Sequence, residues 1–449
     1  MSLRPDARNA AYRVALRALT AAAVLLAAWA ARDAWARNDR AMCYDYYQAW
    51  VIGTAVRVGD APDPYTAATS ARLDPLYDDK AWAYAGTDPE TQRRSRRLHA
   101  AHVTTEIVPA SSPWLYTVFG LLATEDYDRD QKRWGQLGLL ALGGAVFAFG
   151  RLLALPALAI ALWLAFSWAW FRPALSDLWV GNVGRVELVM LAAFAVGARG
   201  RPAWRLAAAA VLGTLVAFKP NMAVVPVFVA VGWTLTGQRQ RLLTLAVGGA
   251  LGLAASVAGA AAFFGDGRIW LRWLERLPEI TASDACAVAK GNAAAAALMA
   301  ERLGLPAASQ TAVAAALFLP LLALLAVAVR RPWGQVPTPP PPPAALDVTL
   351  IGYGCALSLL AAPLAWIHYF VLLLPLAMVA FRPRRPLAPV SRRLAALGAG
   401  GLGLLLLAEP TRPWLPDGEF ASALLVATGA ALTTTAAIID PIRPSAANC

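Results

Sequence analysis

Three side chains in this sequence pair a reactive group with an apolar setting. Asp45 stands in "AMCYDYYQAW" between Tyr44, Tyr46 and Tyr47. Partial loss of solvent raises a carboxyl pKa, and a carboxylate tuned in this way can act as a general base. The alternative is a solvated loop aspartate beside an interfacial aromatic belt. Lys219 ends the apolar run "LGTLVAF" and precedes Pro220, which suits the start of another helix. An ammonium held at a membrane boundary is a natural partner for a phosphate, and otherwise a snorkelling side chain. His368, in "LAWIHYFVLLLP", is one of three histidines. It can donate to a phosphate or partner a carboxylate, or be a satisfied core histidine.

Other constellations carry less. His99, His102 and Glu106 fall at i, i+3 and i+7, one face of a helix, but with no HExxH pattern and no neighbouring cysteine a metal site is not expected. The run "DYDRD" at 126–130 begins like a calcium loop and lacks the glycine and the glutamate that complete one. Cys43, Cys286, Cys355 and Cys449 show no CxxC spacing. A P-loop and a GxSxG are missing and no Rossmann fingerprint is read, so chemistry driven by a nucleotide is unsupported and no cofactor is expected.

The elements that must position these groups are membrane helices. The chain has 449 residues, of which 58% are hydrophobic and 15% charged, with a mean hydropathy of +0.50. Apolar runs long enough for a hydrocarbon core of roughly 30 Å recur from end to end. Twelve spans are predicted, at 12–36, 134–150, 153–171, 179–198, 203–219, 221–236, 242–264, 309–330, 347–362, 366–382, 394–408 and 419–439. The first is read as a retained helix, since no clear small-residue cleavage site follows it. The formal net charge of +12 lies in short connectors, which argues for the positive-inside bias and against a nucleic-acid partner. With the N-terminus in the cytoplasm, Arg199, Arg201, Arg205, Arg239, Arg241 and the pair Arg330 and Arg331 all fall inside.

Two long segments then fall outside, 37–111 and 265–308, and the short segment 111–124 is read as re-entrant or interfacial. In the second, Ile269, Trp270, Trp273, Leu274 and Leu277 share one face of a surface-lying helix. A cytoplasmic Pro-rich linker at 331–346, extended as polyproline II, separates a module at 1–330 from C-terminal helices at 347–449. On this topology Asp45, the connector "LSDLWVGNVGRVE", Lys219 with Asn221, and His368 with Tyr369 all return to one face.

These motifs together resemble glycosyltransferase family 87, membrane enzymes of GT-C fold and α-1,2-mannosyltransferase type that use polyprenyl-phosphate sugars. The resemblance rests on the order of "YDYYQAW", "GDAPDPY", "SSPWLY", "GNVGRVELVML", "GTLVAFKPN" and "APLAWIHYF". It implies a polyprenyl-phosphate sugar donor, no strict requirement for a metal, and a glycolipid or glycan acceptor of the cell envelope. Asp45 then corresponds to the catalytic base of an inverting transfer of a hexose such as mannose. Lys219 and His368 correspond to groups on the departing phosphate, with Tyr46, Tyr47, Asn182, Arg185, Asn221 and Tyr369 as further substrate-binding residues. The active site faces the periplasmic side of the inner membrane, where Cys43 and Cys286 can form a disulfide if they meet. Two other classes fit the same span pattern, a secondary transporter and a non-catalytic lipid-binding envelope subunit.

Overall fold

The computed structural model describes residues 5–66, 68–69, 71–73, 75–76, 98, 101–102, 107–124, 126–281, 288, 292–306, 309–333, 344–362, 364–382, 390–410 and 419–439. Helix dominates them, and the β-pairing among the described residues is limited to two isolated bridges, Phe171 with Ala408 and Asn292 with Trp366. Among the described residues, five helices are long and apolar enough to cross a membrane, or six if one bent pair counts as a single span. The architecture is that of an all-α, multi-pass membrane protein.

The N-terminal part contains α1 (Pro5–Asn38), α2 (Tyr44–Val58), α3 (Pro113–Leu122), α4 (Tyr127–Leu152) and α5 (Ala157–Ala169). The middle is built from α6 (Arg172–Val180), α7 (Gly184–Gly197), α8 (Pro202–Phe218), a 3-10 turn (Pro220–Ala223), α9 (Val224–Leu235) and α10 (Arg239–Phe264). After it come α11 (Ile269–Thr281), α12 (Ala295–Arg302), α13 (Gln310–Trp333) and α14 (Ala344–Ala361). A 3-10 stretch (Ile367–Leu373), α15 (Leu374–Ala380), α16 (Val390–Leu406) and α17 (Glu419–Ile439) complete the chain.

Each of the twelve expected spans falls on helical backbone, but not each on one straight helix. Residues 179–198, expected as a single span, are broken: α6 and α7 meet at 118° across Gly181–Val183. The reason is local. Gly181 adopts φ +72°, a left-handed value that ends α6, and its N–H and that of Asn182 both fold back to Asp177 O. The segment 111–124 is likewise an element in its own right, the ten-residue α3, with Ser112 capping Leu115 N and Pro113 opening the first turn. The Pro-rich stretch 334–343 and Cys286, His99 and Glu106 lie outside the described residues.

Packing divides into two cores. The larger surrounds α14, which is buried from Ala345 to Ala361. Around it, α8 packs against α10 through small residues: a Cβ on Gly248 would lie 2.6 Å from Leu206 O, so the two backbones nearly touch. Outer helices turn Leu25, Leu140, Leu243 and Leu319 outward, as a lipid-facing surface requires. The second core is aromatic. Within it Tyr46 packs against Phe119, Tyr127 and Trp134, and Tyr47 and Trp50 meet Tyr127.

This second core takes in the start of the segment 37–111, expected outside the membrane spans, as a buried helix. Residues 46–56 are buried on almost every face, because α2 is covered by α3, α4, α11 and the α6–α7 break. The surface helix at 265–308 exists as α11, with Ile269 and Trp273 buried and Trp270 and Leu277 packed beside them. Leu274 departs from the expected face and is 51% exposed. Trp273 Nε1 donates to Ala110 O at 3.2 Å, and Arg272 pairs with Asp63 and Asp266 at 2.5 and 2.9 Å, which ties α11 to the first loop.

Candidate functional site

The site begins at the start of α2. Cys43 takes a left-handed conformation (φ 54°), donates from its backbone N–H to Trp179 O at 2.8 Å, and so sets the first turn of α2 against the end of α6. Gly181 permits this approach, since a Cβ there would meet Tyr46 Cβ at 2.8 Å and Cys43 Cβ at 3.0 Å. The next residue, Asn182, thereby reaches Asp45: its Nδ2 donates to Asp45 Oδ2 at 2.7 Å, while its own Oδ1 accepts from Val183 N at the same distance.

On the other side of Asp45 stands His368, whose Nε2 is 3.5 Å from the same Oδ2. It is carried by the 3-10 stretch after Trp366, and that stretch is pinned from behind. Asn292 Oδ1 accepts from Ala365 N at 3.0 Å, and Ala293 N donates to Ala365 O at 2.7 Å. Tyr369 follows, its ring edge-on to His368 and its face under the Lys219 ammonium, which lies 3.4 Å from the ring centroid. Lys219 leaves the end of α8 and pairs with Glu187 of α7, Nζ to Oε1 3.1 Å.

Asp45 retains 27% of its side-chain surface, so it sits at a mouth rather than in a sealed core. Burial pushes its carboxyl up to about 6, against the opposing pull of the Asn182 hydrogen bond and the Lys219 charge. The same burial, with the Asp45 charge beside it, pushes the Tyr44 hydroxyl up to about 12. At neutral pH Asp45 is therefore mostly ionised and more basic than an ordinary carboxylate, while Tyr44 stays protonated.

Several polar atoms here have no hydrogen-bond partner among the described residues. Lys219 Nζ contacts Glu187 without an aligned hydrogen bond, and His368 Nε2 and, two residues after Lys219, Asn221 Oδ1 have none. Buried polar atoms left unpaired are costly, and water or a polar ligand would satisfy them.

Of the residues singled out from sequence, Asp45, Asn182, Lys219, His368 and Tyr369 come together. Asn221 sits on the adjoining 3-10 turn, where its backbone O accepts from Ser358 Oγ at 3.1 Å. Tyr46 and Tyr47 are corrected: on a helix they turn roughly 100° and 200° from Asp45, and they are buried in the aromatic core, Tyr47 bonded through its hydroxyl to His102 Nδ1 at 2.8 Å. They support α2 instead of lining a sugar site. Arg185 is also corrected. It is 1% exposed and held by an ion pair with Asp177 behind the α6–α7 break, leaving it no face toward a substrate.

Two acids went unremarked in the sequence, Glu187 and Asp177, both fully buried. The signal was present, since an acid within an apolar run must find a cation, and Lys219 and Arg185 are those cations. In "DYDRD", Asp126 caps α4 by accepting from Arg129 N at 3.1 Å, and Asp130 receives Trp50 Nε1 at 3.0 Å.

Comparisons with protein-family models, with curated proteins and with solved structures return no match.

Proposed function

We propose that the chain is a glycosyltransferase of the family-87 type, a GT-C enzyme of about twelve spans that moves a hexose from a polyprenyl-phosphate donor to a cell-envelope acceptor. The observation that carries the reading is one carboxylate of raised pKa, Asp45, with His368 Nε2 at 3.5 Å and with Lys219, itself paired with Glu187, close enough for its charge to act on the carboxyl.

In the reaction, an acceptor hydroxyl oxygen attacks the anomeric carbon from the face opposite the phosphate. Its proton passes to Asp45, and the bond from the anomeric carbon to the phosphate oxygen breaks with its electron pair going to the phosphate. Charge then grows on the leaving phosphate, where Lys219 offers ammonium protons and His368 a ring N–H. Glu187 keeps Lys219 charged and in place, and Tyr369 supports it from below. The site opens on the extracytoplasmic side of the cell membrane, as the arginine distribution supports.

A specific observation favours a second reading, a secondary transporter. The backbone is broken at Gly181–Val183, at Pro220–Ala223 and at Ile367–Leu373, and discontinuous helices at a central site are typical of that class. Products separate the two. Purified protein given a radiolabelled polyprenyl-phosphate hexose and envelope glycolipids is expected to release polyprenyl phosphate and label the acceptor. Movement of intact donor across a vesicle membrane without cleavage of the glycosyl bond would overturn the transferase reading.

A further inference from the structure

The two halves of the contact between Asp45 and His368 are held by separate parts of the chain. Asp45 is set from the N-terminal side, by the Cys43 N–H on Trp179 O at 2.8 Å and by Asn182 Nδ2 at 2.7 Å. His368 is set from the segment just before α12. Ala365 is fully buried, and both of its backbone polar groups go to that segment: its N–H donates to Asn292 Oδ1 at 3.0 Å and its C=O accepts from Ala293 N at 2.7 Å. Trp366 pairs with Asn292 in an isolated antiparallel bridge, and Tyr369 N donates to Trp366 O at 2.9 Å to open the 3-10 stretch. Trp366 and Ile367 alone separate the clamped Ala365 from His368.

The clamp is itself anchored. Asn292 has no exposed surface, and its Oδ1 also accepts from Ala294 N at 3.0 Å in a local turn that leads into α12. Ala293, Ala294, Ala297 and Leu298 are buried in the larger core, and α12 packs on α14 and α17. A residue needed only to start α12 would make the local bond and no other. Asn292 uses the same oxygen to hold the backbone, 73 residues further along the chain, on which His368 is mounted.

The contact so served has little tolerance. At 3.5 Å, His368 Nε2 stands at the outer limit of hydrogen-bond distance from Asp45 Oδ2. The backbone bonds of a 3-10 turn are poorer than those of an α-helix, so the direction of the stretch depends on what holds its first residues.

We propose that Asn292 is a positioning residue: through Ala365 it aims the 3-10 stretch so that His368 meets Asp45. The segment 265–308 thereby contributes to the site a buried residue that acts through His368. The assignment rests on the transferase reading where a rate is measured; the contact between His368 and Asp45 is measured without it.

The test compares Asn292→Ser with wild type. Serine can still accept from Ala294 N in the local turn, but its side chain is one atom shorter and falls short of Ala365. The chain has three histidines, so in protein labelled with nitrogen-15 at histidine the ring signals are few, and His368→Asn identifies those of His368. Asp45→Asn is expected to move the His368 Nε2 signal by several ppm in the wild-type background, and by less than about half as much in the Asn292→Ser background. Asn292→Asp, which keeps an acceptor oxygen of the same reach, is expected to preserve the full movement; its loss in folded Asn292→Asp would overturn the acceptor oxygen as the cause. Equal movement in wild type and Asn292→Ser, or none in wild type, overturns the positioning role.

On the rate of hexose transfer, Asn292→Ser is expected to cost about tenfold or more in a protein that thermal unfolding shows to be folded. Where His368 is already Asn, it is expected to add less than about twofold. Losses of equal size in both backgrounds overturn the role as well. A wild-type protein that shows the coupled histidine signal and transfers no hexose contradicts the transferase reading and keeps Asn292 as the residue that sets the contact.

Discussion

Asn182 Nδ2 donates to Asp45 Oδ2 at 2.7 Å, across the seam between the first turn of α2 and the break between α6 and α7. The bond favours the ionised carboxylate and opposes the burial that pushes Asp45 up to about 6. Replacing Asn182 by Ala removes that opposition. In the transferase reading, activity requires ionised Asp45 and falls below pH about 6; in Asn182→Ala the same acidic limb is expected at higher pH. A pH profile of initial rates for the two proteins checks this, and coincident limbs would detach the titration from Asp45.

The same pKa has a cost in stability. A carboxyl of 3.8 in the unfolded chain and about 6 in the fold binds its proton more tightly when folded. This group's contribution to stability is therefore highest below pH 3.8, falls as pH rises to about 6, and stays low above it. Asp45→Asn keeps the partner of Asn182 and removes the penalty. It is expected to stabilise the protein by about 1–3 kcal/mol at pH 8 and by little at pH 4. Thermal unfolding in detergent at the two pH values measures the difference.

The ion pair of Lys219 with Glu187 lies between α8 and α7, and Glu187 has no exposed surface. Lys219→Met leaves that carboxylate buried and unpaired, and is expected to cost about 3–5 kcal/mol. The double variant Lys219→Met with Glu187→Leu is expected to recover most of the stability and none of the transfer activity. A double-mutant cycle on thermal stability and on rate separates the two roles, because a purely structural lysine would regain both.

Gly181 is the hinge of the site. Its φ of +72° strains any side chain, and a Cβ would press on Tyr46 and Cys43. Gly181→Ala is expected to destabilise the fold by about 1–3 kcal/mol and to move Asn182 away from Asp45. The acidic limb should then shift as it does in Asn182→Ala, a readout that a general loss of folded protein would not produce.

What the sequence disclosed and what it hid follow from the range of each signal. Apolar periods are local, so helices fall at all twelve expected places, and the return of Asp45, Lys219 and His368 to one face follows from counting crossings. A break such as Gly181–Val183 was harder to read, because "VGNVG" sits between apolar runs that look continuous at span length. Helix α2 was missed for another reason. It is covered by α3, α4 and α11 from distant parts of the chain, and tertiary cover of that kind leaves only its apolar content as a local trace. That same cover turned Tyr46 and Tyr47 inward, whereas the family resemblance counts them among the substrate-binding residues. Glu187 and Asp177 were legible in principle from the rule that a membrane acid needs a cation, but which cation belonged to which acid was set by the fold.

The most direct measurement is the rate of hexose transfer from a polyprenyl-phosphate donor by purified wild type and Asp45→Asn at pH 8, with folding checked by thermal unfolding. Removal of a general base is expected to lower the rate by about 10²–10⁴-fold in a variant that is folded and at least as stable as wild type. Transfer by folded Asp45→Asn at the wild-type rate would contradict Asp45 as the base, and with it the central claim.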